Sequence, residues 1–323
     1  MKQQIIDLWK ISFGDTDDFI RLWFDRVYKD ENTFVVRQND KIVSALQILP
    51  CEMTYCGTTI SAGYICGVCT LPSERGKGLM TRLMNQAVTA MHNRRYALAV
   101  LIPATPALFD LYRRFEFANA FDYSIEVIQY EELLKTLPSR HCERSEAIRH
   151  IEFQQIVSHE KLSLNTIYTY YNAKQLERGI SIIHSAHQFE TICRDRILGG
   201  CEIWVALANE QPVGLAFTDS IKDKTLSIRE IMYENTEIKN QLVQSILKRH
   251  QLHSATLRIP PAPSNSVPYG MARIINVEHM IELYRSFHTH TQLLNYSNND
   301  IPSLTQFLLH YNQRQACMNL MLD

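Results

Sequence analysis

The chain has 323 residues, 46% of them hydrophobic, with a mean hydropathy of −0.19, which is apolar material for two or three packed domains. Its 33 basic and 34 acidic residues leave a formal net charge of −1, which excludes a general pull toward nucleic acid or anionic membrane. No stretch approaches the roughly 18 uninterrupted apolar residues of a membrane helix, and the first residues lack the apolar run of a secretion signal. A soluble cytoplasmic protein with no nucleic-acid or membrane partner is expected.

In chain order, residues 5–13 and 19–28 read as helices divided by Gly14-Asp15-Thr16-Asp17-Asp18, whose acids favour the start of the second helix. Residues 33–37 and 41–49 form a strand pair around Gln38-Asn39-Asp40. A third strand covers 51–55, with a tight turn at Cys56-Gly57-Thr58. The apolar run 64–71 is a buried strand that stops at Pro72. A basic glycine turn follows, Ser73-Glu74-Arg75-Gly76-Lys77-Gly78, and then Met80, Leu83, Met84, Ala87, Val88 and Met91 mark one stripe of an amphipathic helix. The first amides of a helix have no intrahelical acceptor and stand at the positive end of its dipole. Glycines let that backbone approach a ligand, and Arg75 and Lys77 add charge, so this turn is a candidate seat for a phosphate or diphosphate. Gly-x-x-x-x-Gly-Lys-Ser/Thr is absent, as is Gly-x-Gly-x-x-Gly followed by an acid, so a nucleotide P-loop and a dinucleotide fold are unsupported.

Residues 96–102 form a second apolar strand, 107–117 a helix, and 121–128 a last strand, which ends a first domain near residue 130. Residues 137–150 are dense in charge and read as a linker or insertion. Beyond them, 202–207 and 212–218 pair across Ala208-Asn209-Glu210-Gln211, followed by a strand at 226–232, a helix at 237–249 and a strand at 255–259. This repeats strand, turn, helix, strand. Its turn, Tyr233-Glu234-Asn235-Thr236-Glu237, has no glycine, and its two carboxylates would repel a diphosphate. Pro260-Pro261-Ala262-Pro263-Ser264 is stiff and closes the second domain. Residues 270–284 read as a strand and then a helix, and the chain finishes in an apolar tail at 316–323. Eight cysteines are scattered along the chain. Cys66-x-x-Cys69 falls within a strand, and no second Cys/His pair is spaced to complete a zinc site, so no metal is expected.

Arg75, Gly76-Lys77 and Gly78 resemble the acetyl-CoA loop of the GNAT superfamily of N-acetyltransferases, Gln/Arg-x-x-Gly-x-Gly/Ala, with Met80 where Gly or Ala is usual. Tyr112-Arg113-Arg114-Phe115-Glu116-Phe117 is similar to the family's Tyr-x-x-x-Gly-Phe helix end, with Glu116 in place of glycine. The large residue at the last loop position, Met80, and the Tyr-x-Arg-Phe ending at Tyr112–Phe115 both resemble the tandem subgroup typified by the enhanced intracellular survival acetyltransferases. The resemblance implies an α+β fold of tandem GNAT-like mixed-sheet domains plus a short α/β C-terminal segment. It divides the chain into an acetyl-CoA-binding catalytic domain at 1–130, a linker or insertion at 131–150, a degenerate second GNAT-like domain at 151–265 and an abbreviated sterol-carrier-like segment at 266–323.

The same resemblance implies an acetyl-CoA-dependent N-acetyltransferase acting on a small-molecule, aminoglycoside-like, peptide or protein amine. The alternative is a non-catalytic acyl-CoA-binding or regulatory protein that retains the fold. Acetyl-CoA would be held at its diphosphate by Arg75, Gly76, Lys77, Gly78, Leu79 and Met80. Backbone groups of Val68, Cys69 and Thr70 would take the pantetheine, and Ala104 and Thr105 the second edge. Tyr112 is the expected acid, since a phenol's usual pKa of about 10 suits proton return to a thiolate. The α-carboxylate of Asp323 is the expected base. Trp23, Phe24, Asp17, Asp18 and Asp25 are candidates for the acceptor side, because aromatic plus acid suits a cationic amine, against the plainer reading of core aromatics and a solvated acidic helix start. Exposed edges of tandem domains also suggest a homo-oligomer.

Overall fold

The computed structural model describes residues 1–136, 151–156, 164–219, 221, 224–262, 265–288, 300–313, 315–318, 320 and 321. Two helices open the chain, α1 (Lys2–Ser12) and α2 (Asp17–Arg26), with Thr16 capping the second through the amide of Phe19. A 3₁₀ turn at Asp30–Asn32 leads into β1 (Thr33–Gln38), β2 (Lys41–Tyr55) and β3 (Thr58–Thr70). Asn39 and Asp40, and again Cys56 and Gly57, take positive φ at the two turns, the geometry that matches the twist of a two-residue hairpin. The strand expected at 51–55 is not separate: β2 runs unbroken through Pro50. Proline is tolerated there because β2 pairs with β1 only up to Gln47 and with its next edge neighbour only from Glu52.

Next come α3 (Leu79–Asn93), β4 (Leu98–Leu101), α4 (Pro106–Arg113), β5 (Ala118–Gln129) and α5 (Tyr130–Thr136). Residues 137–150, expected to be a linker, lie outside the described residues. The following part contains β6 (Ile151–Gln155), α6 (Leu164–Leu176), β7 (Ile180–Ile183), α7 (Ala186–Leu198), β8 (Ile203–Ala208), β9 (Gln211–Thr218), β10 (Leu226–Tyr233), α8 (Thr236–His250) and β11 (Ser254–Ile259). The chain then forms β12 (Ser266–Ile274), α9 (Val277–Phe287), α10 (Ile301–Leu308) and β13 (Ala316–Cys317).

Among the described residues the strands join one mixed sheet in the order β13-β7-β2-β3-β4-β12-β5-β11-β10-β9-β8-β6, with β1 on the edge of β2. The repeat anticipated in sequence is present as β8-β9-β10-α8-β11. It is joined to the first half through β5, which pairs antiparallel with β11 on one side and with β12 on the other. β12 in turn pairs with β4, Met271 opposite Leu101 and Ile274 opposite Leu98. Strand pairing therefore crosses the boundaries near residues 130 and 265.

Helix α3 buries Leu83, Met84, Ala87 and Met91 on one sheet face against Leu46, Ile48, Ile65 and Ala99. Helices α1, α2, α6 and α7 meet over Ala45, Cys69 and the inner faces of β8 and β9. Helix α8 covers the second repeat with Leu242, Val243, Ile246 and Leu247. The C-terminal helices and tail cover β3, β4 and β12 with Met280, Tyr284, Leu304, Leu308, Met318 and Met321. Within the second half, buried Glu230 receives Arg178 at 2.7 Å, so the burial of one ion is matched by the other.

Candidate active site

Strands β3 and β4 are parallel neighbours only from Ala62–Leu98 to Tyr64–Val100. Beyond that register they separate, while β3 continues to Thr70 along β2. The divergence coincides with a bulge. Ala45 and Gln47 of β2 face Cys69 and Cys66, so β3 carries one extra residue over this interval. Gly67 supplies the left-handed conformation, φ +57, that the bulge uses, and a Cβ there would stand 2.7 Å from the ring of Trp9. Trp9 is itself fixed, its indole donating to Asp15 at 2.7 Å. The β4-facing edge of Val68, Cys69 and Thr70 thus borders a V-shaped gap. The local signal of the bulge is a glycine inside an apolar strand, which is the usual mark of one.

At the wide end of the gap a 3₁₀ turn, Pro72–Glu74, leads to the glycine turn. Gly76 and Gly78 have φ of +77 and +74, and a Cβ on either would meet nothing within 4 Å, so the space beside them is open. Gly78 is the N-cap of α3. The first bond of the helix is Arg82 N to Gly78 O, and no side chain caps it, which leaves the amides of Gly78, Leu79, Met80 and Thr81 without an intrahelical acceptor. Arg75 is exposed and bends back along the chain, its Nε donating to the carbonyl of Thr70 at 3.3 Å, with no carboxylate partner among the described residues. The two charges expected to serve the turn therefore differ. Lys77 is held 3.0 Å from Glu74, which draws the Glu74 carboxyl below its usual range. Ala104 and Thr105 stand exposed past β4, Thr105 as the N-cap of α4 with its own hydroxyl not capping.

Tyr112 is the one residue of α4 that is fully buried. Its ring meets Phe117 edge-on at 6.2 Å. Burial first, and then the nearby Cys66, push the phenol up to about 12. That proximity sets the hydroxyl of α4 beside β3 where it parts from β4. Burial likewise holds the thiols of Cys51 and Cys69 near 12, so neither is a thiolate at neutral pH.

The proposed acceptor residues of α2 do not form a site. Trp23 and Phe24 are buried in the core, and the Trp23 indole donates to Gln47 at 3.2 Å. Asp17, Asp18 and Asp25 point outward and pair with Lys10, Arg21 and Lys2. The helical stripe of α2 turns its aromatics in and its acids out. The opening lies elsewhere, where β2 has no edge partner between β1 and β7. A cavity of 470 Å³ penetrates there, bounded by Lys29 and Asn32 ahead of β1, His184 and Gln188 after β7, Tyr64 at the last β3–β4 pair, and Met321. Gln188 closes the gap by donating to Pro50 O at 2.9 Å and forms a capping box with Ser185. The spacing Ser185-x-x-Gln188 was readable as a helix start; its approach to β2 was not. Asp323 lies outside the described residues, two positions beyond Met321. Among the described residues no group of three His, Cys, Asp or Glu side chains could hold a metal ion, and no helix is long and apolar enough to cross a membrane.

The site is thus a central parallel pair that parts at a bulge, next to an uncapped helix N-terminus behind a glycine turn. Residues 2–120 match the acetyltransferase (GNAT) domain family. Among solved structures the chain is similar to a probable N-acyltransferase, a conserved protein of unknown function, from Enterococcus faecalis V583. The TM-score is 0.69 at 14% identity, over 88% of this chain and 72% of that one. A GCN5-related N-acetyltransferase from Anabaena variabilis ATCC 29413 aligns with a TM-score of 0.66 at 16% identity, over 87% and 72%. Eis1 from Mycobacterium abscessus aligns with a TM-score of 0.65 at 13% identity, over 87% and 73%. The match to these chains extends through both halves and so shows the tandem GNAT-like fold. No curated protein matches the sequence.

Proposed function

We propose that the protein is an acetyl-CoA-dependent N-acetyltransferase acting by direct attack of an amine on the thioester. The observation that carries this reading is the parting of β3 and β4 after Tyr64 and Val100, with the open turn of Gly76 and Gly78 at its wide end. In this reading the amides of residues 76–80 take the diphosphate, which complements the helix dipole. Arg75 adds charge. Lys77 contributes only by exchanging Glu74 for phosphate. The pantetheine lies along Val68, Cys69 and Thr70 and passes Ala104 and Thr105. A thioester positioned at the bulge has its carbonyl near free main-chain amides, which stabilise the developing oxyanion.

Tyr112 returns the proton to the departing thiolate, and its burial keeps it protonated for that purpose. The amine enters through the cavity beside Pro50. A carboxylate of Asp323 takes its proton; two residues of extended chain from Met321 reach about 7 Å. Proximity of donor and acceptor at the narrow end of the gap supplies much of the rate. The test is thiol release from acetyl-CoA across a panel of amines, beside calorimetric binding of acetyl-CoA. Amine-dependent release is expected. Tight binding with no release for any amine would leave the alternative reading, a non-catalytic acyl-CoA binder.

A further inference from the structure

Among the described residues the cavity wall carries charge of one sign, and the Asp323 carboxylate proposed above as the base is the acid it would receive. Among the described residues the ionised side chains of the wall are Arg26 and Lys29, accompanied by His184 and His187, and no Asp or Glu lines it. Arg26 donates to Glu190 at 2.9 Å and to the Thr191 hydroxyl at 3.0 Å. That does not neutralise the region, because Glu190 also receives Arg194 at 2.7 and 3.0 Å, and one carboxylate is shared by two guanidinium groups. Lys29 has no ion-pair partner among the described residues. The adjoining cavity, which shares Pro50, Cys51 and Gln188 with this one, contains Glu52 and neither of the two cations. Charge is therefore separated along the opening, with the positive end next to α2.

A polyamine or aminoglycoside would bring several positive charges into a wall that is already positive. An anion would be attracted there, and a half-buried guanidinium with a free lysine beside it is the usual way a protein recognises a carboxylate or phosphate. We propose that the acceptor is an amine that also bears an anionic group, a carboxylate or a phosphate, held by Lys29 and Arg26 while its amine reaches past Tyr64 toward the thioester. This rests on the acyl-transfer reading above.

The experiment measures kcat/KM for thiol release at saturating acetyl-CoA with matched acceptors: an amino acid or short peptide with a free carboxylate and its amide, phosphoethanolamine and ethanolamine, and spermidine. At least one anionic acceptor is expected to exceed its neutral counterpart by about 10-fold, the scale of one favourable ion pair at a partly exposed site. Whichever of carboxylate and phosphate gives the larger ratio names the group. Lys29→Glu is expected to bring the ratio to one or below, and Lys29→Arg to retain it. If the amide and spermidine are acetylated as well as the anionic acceptors, or if Lys29→Glu leaves the ratio intact, the inference is overturned while acyl transfer stands. If acetyl-CoA binds and no acceptor of any charge releases thiol, the acyl-transfer reading falls and this inference with it.

Discussion

Tyr112 joins a proposed role in the chemistry to a contribution to stability in one buried side chain. At 7% exposure its hydroxyl is kept neutral up to about pH 12, so it is in the donating form throughout the range in which an amine acceptor would be used. Tyr112→Phe is expected to lower kcat about 100-fold, within the usual span for a lost general acid, with the calorimetric affinity for acetyl-CoA unchanged. Equal loss of affinity would assign the residue to packing instead. The same elevation has a sign for stability. The unfolded chain releases this proton near its ordinary value of about 10, before the folded chain does, so the contribution is whole below that pH and is lost as pH rises through the folded value. It amounts to at most about 3 kcal/mol. The urea midpoint of the natural chain should fall between pH 10 and 12, and that of Tyr112→Phe should fall less. The position of Tyr112 was legible from its spacing before Phe117. The fate of Trp23 and Phe24 was not: their helix has one apolar stripe, and a stripe alone does not say whether it faces a cleft or a core.

The glycines of β3 and of the turn before α3 separate two kinds of element, one closed and one open. Gly67 holds the bulge with Trp9 pressed against it, whereas Gly76 has empty space beside it at nearly the same backbone angle. Gly67→Ala combines the cost of a left-handed alanine with displacement of a ring fixed by Asp15. It is expected to destabilise the chain by about 2–4 kcal/mol. Gly76→Ala meets only the conformational cost, about 1 kcal/mol. Its methyl would nevertheless project where a diphosphate is proposed to lie, so acetyl-CoA affinity should fall well beyond that loss. Urea denaturation and calorimetry on both variants read the two effects separately; a Gly76→Ala chain that binds normally would move the diphosphate away from this turn. At this scale the order of elements was legible because hydrophobic period and turn residues are local. α3, β8 to β11 and α8 appear within a residue or two of their expected bounds. Pro50 misled because a proline breaks a strand only where its missing N–H was needed, and the gap between β1 and β7 on that edge depends on residues more than 100 positions away.

Over the whole molecule, the decisive feature is that β12 lies between β4 and β5. Nothing local announces this. The run from Ser266 to Ile274 reads simply as a strand, and its neighbours are chosen by registry with segments some 150 residues earlier. Gly270 reflects the fit, since a Cβ there would meet Met318 at 2.9 Å and Phe121 at 3.1 Å. A chain shortened to residues 1–130 would contain every element of the family match and most of the proposed cofactor site. It would also leave β4 without its partner beyond β3, and β5 unpaired on both edges, because β11 is lost as well. Unpaired apolar strands bind one another between molecules. The shortened chain is therefore expected to aggregate, or to melt without a cooperative transition by circular dichroism. Co-expression with residues 131–323 should recover soluble complex and acetyl-CoA binding, because the missing strands are then supplied in trans. A soluble 1–130 chain with a sigmoidal melt and normal acetyl-CoA affinity would mean that β12 completes the sheet without being required by it. The two halves would then be joined only by adjacency. The expected result instead makes the acyl-transfer site a property of the full chain: β4, one arm of the gap, is held in register by a strand from near the other end.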